Sequence, residues 1–153
     1  MRRKRERDER APSALVDQIQ VLVMSQHEAV RQQLVIYLGR APTLAVSGDA
    51  FSPDAIVQAN PDVLVLDLSQ LGQDHLHQAL AAVQRTRARL IALASIYEPA
   101  AERAIADAGG LYRLKSAGAD GLAEIVCEVA GRPPAQAMPR LCLATTRAGD
   151  AQR

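Results

Sequence analysis

A chain of 153 residues with 48% hydrophobic residues has the length of one ordinary domain and enough apolar surface to bury a core without disulfides or a structural metal. The formal net charge is +1, yet residues 1 to 10 carry six Arg or Lys against three acids, leaving 12 bases against 14 acids in the rest, which excludes a global nucleic-acid footprint. Two cysteines, Cys127 and Cys142, fit no zinc spacing and are expected to be reduced, with Cys127 a small core residue.

Residues 1–17 begin with a run of alternating charge and no apolar periodicity, and read as a basic disordered arm. The arm leads into Pro and polar residues instead of the apolar core of a signal peptide. No apolar run in the chain approaches the roughly 18 residues of a membrane span, so a cytoplasmic protein is expected.

Beyond the arm, strand and helix patterns alternate. IQVLVM (19–24) is a short β-rich run, followed by a helical segment in which Val30, Leu34 and Leu38 recur and Gly39 supplies a stop. TLAVSG (43–48) gives a second strand. Ser52-Pro53-Asp54 opens a helix with a capping hydroxyl, Pro in the first turn and an acid favouring the dipole, and Ile56 and Val57 face inward from it. Val63 to Leu66 are continuously apolar, as in a central parallel strand covered on both faces, and the run ends on Asp67.

After a loop, Asp74 is placed to cap a helix carrying Leu76, Leu80 and Val83. RLIALAS (89–95) is the fourth strand, Pro99 opens the fourth helix, and Gly109-Gly110 closes it. LYRLK (111–115) is the fifth strand. The segment from Asp120 to Gly131 is the fifth helix, with Leu122, Ile125, Val126 and Val129 on one face.

Residues 132–153 hold three prolines and break the alternation; this tail is expected to be loose, with Leu141, Cys142 and Leu143 able to dock on the domain or begin a linker. The folded domain is thus 18–131. Five strand-helix pairs imply right-handed crossovers and an α/β, doubly wound parallel sheet with helices on both faces. In such sheets ligands gather beyond the carboxyl ends of the strands, which singles out the loops after Met24, Leu66 and Leu93 and the strand end at Lys115.

Over residues 18–131 the ordered segments resemble the receiver domains of two-component response regulators, above all those that precede LuxR-type DNA-binding domains. The segment PDVLVLDLSQLGQDHL (61–76) carries most of the likeness, with VLVMSQHEAVRQQL, VSGDA and the stretch from Ala108 to Lys115 following the same order. The resemblance implies a five-stranded 2-1-3-4-5 flavodoxin-like sheet. It places Asp67 on the phospho-accepting aspartate, Gly72 on the loop glycine, Asp74 on the helix-capping acid, Lys115 on the family's lysine and Tyr112 on its switch aromatic.

Phosphoryl transfer to an aspartate brings two anions together, so it depends on positioning and charge neutralisation. The family uses Mg²⁺ and the lysine. The metal positions implied here are Ser25, Gln26, Asp67 and the carbonyl of Ser69, so the two acids that usually follow the first strand are replaced by neutral side chains. Losing a carboxylate about 4 Å from a cation forfeits roughly 4 kcal/mol at an effective dielectric of 20, and Mg²⁺ is expected to bind weakly at best. Glu28 lies nearby in sequence. The switch hydroxyl at the end of the fourth strand falls on Ala94, and a one-residue shift would put Ser95 there. Leu71 and Ser116 are further departures. With Lys115 adjacent, the pKa of Asp67 is not expected to be raised.

His75 and His77 lie at i, i+2 on a helix and face different ways, which argues against a metal pair. His27 reads as a surface residue at the border of the Asp67 pocket. Ser25 lacks the acid-His pair of a hydrolase nucleophile.

The chain reads as a signalling module and a non-enzyme: a degenerate receiver without an output domain. It would act on a protein partner, a histidine kinase or downstream effector, or on a second copy of itself. The face of the fourth helix, fifth strand and fifth helix is the contact surface the resemblance implies. A nucleic-acid partner is not expected from this chain alone. The competing readings are an active phospho-acceptor fed by a histidine kinase at Asp67, and a flavodoxin-like nucleotide or flavin binder. Against the latter, the loop Ser25 to Glu28 lacks glycines.

Overall fold

The computed structural model describes residues 18–118 and 121–131. Five strands form one sheet: β1 (Ile19–Met24), β2 (Leu44–Asp49), β3 (Val63–Asp67), β4 (Arg89–Ala94) and β5 (Leu111–Leu114). All neighbours are parallel, as the alternating pattern implied, and their order is β2-β1-β3-β4-β5, as the resemblance implied. Five helices connect and follow them: α1 (Glu28–Gly39), α2 (Pro53–Ala59), α3 (Gln73–Gln84), α4 (Pro99–Asp107) and α5 (Leu122–Ala130), with a 3-10 turn at Lys115–Ala117.

The period of two along a strand sorts the core into two layers. Even positions Leu22, Met24, Leu64, Leu66, Leu90 and Ala92 pack with Ile56, Leu76, Ala79 and Ile105 from α2, α3 and α4. Odd positions Val21, Val23, Val63, Val65, Ile91 and Leu93 pack with Leu38 of α1 and Leu122, Val126 and Val129 of α5. All five residues of β3 are buried, which is why the run reads as unbroken hydrophobicity instead of alternation.

Gly110 shows how closely the connection from α4 to β5 is packed against the even layer. A Cβ there would lie 2.9 Å from Ile105 Cγ2 and 3.1 Å from both Cβ and the carbonyl oxygen of Leu90. Gly110→Ala is therefore expected to destabilise the domain by about 1 to 3 kcal/mol through overpacking. Thermal unfolding measures this, and an unchanged midpoint would contradict it.

Some local expectations change. Asp74 is not the cap of α3: the N-cap is Gly72 with no side-chain hydrogen bond, and exposed Asp74 sits one position inside the first turn, where its charge favours the dipole. β2 lies one residue later than its apolar run suggested, and Lys115 belongs to the turn after β5. Cys127 is half-buried, with Sγ 3.6 Å from Thr43 Oγ1. Ser52 does cap α2, accepting from the amide of Ala55 at 3.3 Å. The arm, the tail with Cys142, and Asp120 lie outside the described residues. Among the described residues no helix is long and apolar enough to cross a membrane.

Candidate functional site

The chain leaves β1 toward β2 at one edge and later crosses back to β3 on the other side of β1. The loops after Met24 and Asp67 therefore diverge, opening a crevice at the carboxyl ends of adjacent strands. Asp67 continues the odd row of β3, and Ser25 continues the odd row of β1 just past its end. Both are buried, Asp67 completely and Ser25 to within 1%.

Buried carboxylates demand partners, and Asp67 has three. Lys115 Nζ lies 2.7 Å from Oδ1, the amide of Ser69 donates to the same oxygen at 3.0 Å, and the Ser25 hydroxyl donates to Oδ2 at 2.7 Å. Burial works to raise the pKa of this carboxyl. The hydrogen bonds from Lys115, Ser25 and the Ser69 amide, with the Lys115 charge, outweigh it and hold the group below the usual carboxylate range. The ordinary aspartate expected from the sequence is thus a stabilised anion.

The surrounding groups extend this network. Lys115 Nζ also donates to Ser69 Oγ at 2.8 Å, and Ser69 Oγ is 2.9 Å from Ser95 Oγ. The pairing of Asp67 with Leu93 and of Ala94 with Leu114 fixes the register: Ala94 is the buried last residue of β4, and the hydroxyl of Ser95 joins the Lys115-Ser69 chain, not the carboxylate. Tyr112 is half-buried. Its phenol donates to the carbonyl of Ile96 at 3.1 Å and accepts from the amide of Glu98 at 3.0 Å, pinning the loop between β4 and α4.

Ser25 does more than stand where an acid was expected. Its Oγ accepts from the amide of His27 at 3.0 Å, a local turn that starts α1. Its carbonyl accepts from Arg31 Nη1 at 3.0 Å. The sequence did not single out Arg31. The signal lies in Gly48, where a Cβ would lie 2.8 Å from Val35 and 3.0 Å from Arg31 Cγ; the missing side chain lets the arginine stem cross the edge of the sheet. Gln26 is exposed, and exposed Glu28 holds the Gln32 amide at 3.1 Å.

Magnesium requires about six oxygen ligands in octahedral array. Here one carboxylate is present with both oxygens already taken by donors, and a guanidinium binds the neighbouring carbonyl. Among the described residues no group of three or more His, Cys, Asp or Glu could hold a metal. This donor set does not fit the ion.

No protein-family model and no curated protein matches the chain. Solved structures do. The signal receiver domain of the NarL response regulator from Mycobacterium tuberculosis is similar with a TM-score of 0.64 and 26% identity, over 76% of this chain and 99% of that one. The response regulator domain of Thermotoga maritima CheB has a TM-score of 0.63 at 22% identity, over 76% and 99%. A pilus assembly protein, CpaE of Burkholderia thailandensis, has a TM-score of 0.63 at 16% identity, over 74% and 99%.

Proposed function

On this response-regulator receiver fold, we propose that the chain is a signalling module whose Asp67 is a structural anion, and that it works through protein contacts without phosphoryl transfer at that residue. The observation that carries the reading is the closure of Asp67: a side chain with no exposure and three donors on its two oxygens. An attacking carboxylate needs an open approach for the phosphorus to one of its lone pairs and a cation to neutralise the incoming anion. Ser25 covers one oxygen, and Lys115 is engaged on the other.

The contact surface assigned by this reading is the edge formed by the loop before α4 together with β5. Ile96 and Tyr97 are 74% and 53% exposed, and Leu111 is 39% exposed. Ile96 and Tyr97 are adjacent on that loop, and large apolar groups placed together on a surface favour a protein partner; Leu111 opens β5, opposite Ile91, at the other end of the strand. The Tyr112 clamp holds the loop that presents two of them.

Incubation with acetyl phosphate and Mg²⁺ followed by intact-mass measurement tests the proposal. No phosphoryl adduct is expected. An adduct that Asp67→Asn removes would establish instead a phospho-accepting receiver fed by a histidine kinase.

A further inference from the structure

A cleft of about 400 Å³ opens between α1 and α5 on the odd face of the sheet, within the range of about 300 to 1,000 Å³ typical of small-molecule sites. Its walls are apolar, from Val30, Leu34, Leu93 and Leu122, and its polar end holds Arg113 and Lys115. No acid lines it. Lys115 is neutralised by Asp67. Arg113 is half-buried, and its guanidinium donates to the carbonyl of Gly118 at 3.4 Å; among the described residues no carboxylate lies within ion-pair distance of it.

A half-buried guanidinium with no carboxylate partner among the described residues, at the end of an apolar slot, is complementary to a molecule with an anionic head and a hydrocarbon body. We infer that the cleft between α1 and α5 binds an amphipathic carboxylate, its carboxyl group at Arg113 and its chain against Leu34 and Leu122. The chain's own residues 132–153 are a poor fit, since they carry four Arg against one acid and would bring like charge to Arg113. Lys115 lies between this cleft and Asp67, so the ligand's carboxylate and Asp67 compete for one ammonium. The site goes beyond the reading of Asp67 as a closed anion, and its test does not involve phosphoryl transfer.

Decanoate, titrated calorimetrically into the full chain at neutral pH below its micelle concentration, is the probe, with decyltrimethylammonium as the charge-reversed control. Saturable one-to-one binding of decanoate alone is expected. Arg113→Gln is expected to weaken it about tenfold or more, and Gln33→Glu, which adds an acid at the exposed rim, is expected to weaken it as well. Leu34→Trp is expected to abolish binding by filling the slot. Asp67→Asn, which frees Lys115, is expected to tighten binding, and an unchanged affinity would overturn the competition for that ammonium. No binding to the natural chain, equal binding of the cationic control, or indifference to both Arg113→Gln and Gln33→Glu would overturn the site. Binding that appears only in a Leu141→Ser/Leu143→Ser double variant would assign the cleft to the chain's own terminus.

Discussion

Lys115→Met is expected to cost the domain about 3 kcal/mol at neutral pH, the low end of the range for removing one partner of a buried pair, because the lysine side chain is 29% exposed. For a domain of this size that lowers the unfolding midpoint by roughly 12 °C or more. The pH dependence is the sharper measurement. In the natural chain the folded pKa of Asp67 lies below its unfolded value of about 3.9, so its contribution is fully present above that value and is lost as pH falls through the folded pKa. Without Lys115 the burial penalty dominates and the folded pKa rises. The variant's deficit should then shrink as pH falls through the new, higher value, where Asp67 takes up a proton. Urea unfolding of both proteins between pH 4 and 8 reads the difference, and a deficit independent of pH would show that the lost methylene packing, not the charge, accounts for the change.

The second large effect concerns the two neutral residues after β1. Ser25→Asp combined with Gln26→Asp places a carboxylate where Ser25 Oγ now lies 2.7 Å from Asp67 Oδ2. Two like charges about 4 Å apart repel by roughly 4 kcal/mol at an effective dielectric of 20, so in a chelator the variant should be strongly destabilised. Mg²⁺ should reverse this: at 100 times its dissociation constant a bound ion restores about 2.7 kcal/mol. The natural chain should show no such dependence. If the unfolding midpoint of the double variant ignores Mg²⁺, the loss of those two acids is not what keeps the ion out, and the Arg31 guanidinium beside the Ser25 carbonyl becomes the next candidate.

The elements themselves were largely readable from the chain. β3 and β4 are buried on both faces, so their sequences are continuous apolar runs, and α3, α4 and α5 repeat their buried residues at helical spacing. Asp67 could be placed because it ends such a strand, and Lys115 because it follows the half-buried fifth strand in the ordered set of segments. Their partners could not. Ser25 and Asp67 are 42 positions apart, and whether a serine there is a vacancy or a donor depends on a rotamer and a sheet register. The position of Ser95 turned on a one-residue shift that only the pairing of β3 with β4 decides. Arg31 reaches the site because a residue on a different element, Gly48, has no side chain. Asp74 was misplaced as a cap because Gly72 meets the backbone requirement without a hydrogen bond, and the acid contributes through its charge alone.

The hydroxyl of Ser25 serves Asp67 and the amide of His27 at once. Rotation of that hydroxyl uncovers Asp67 Oδ2 and at the same time frees the amide at the N-cap of α1. Access to Asp67 becomes a local opening equilibrium, and the hydrogen-exchange rate of a single amide, that of His27, reports its population.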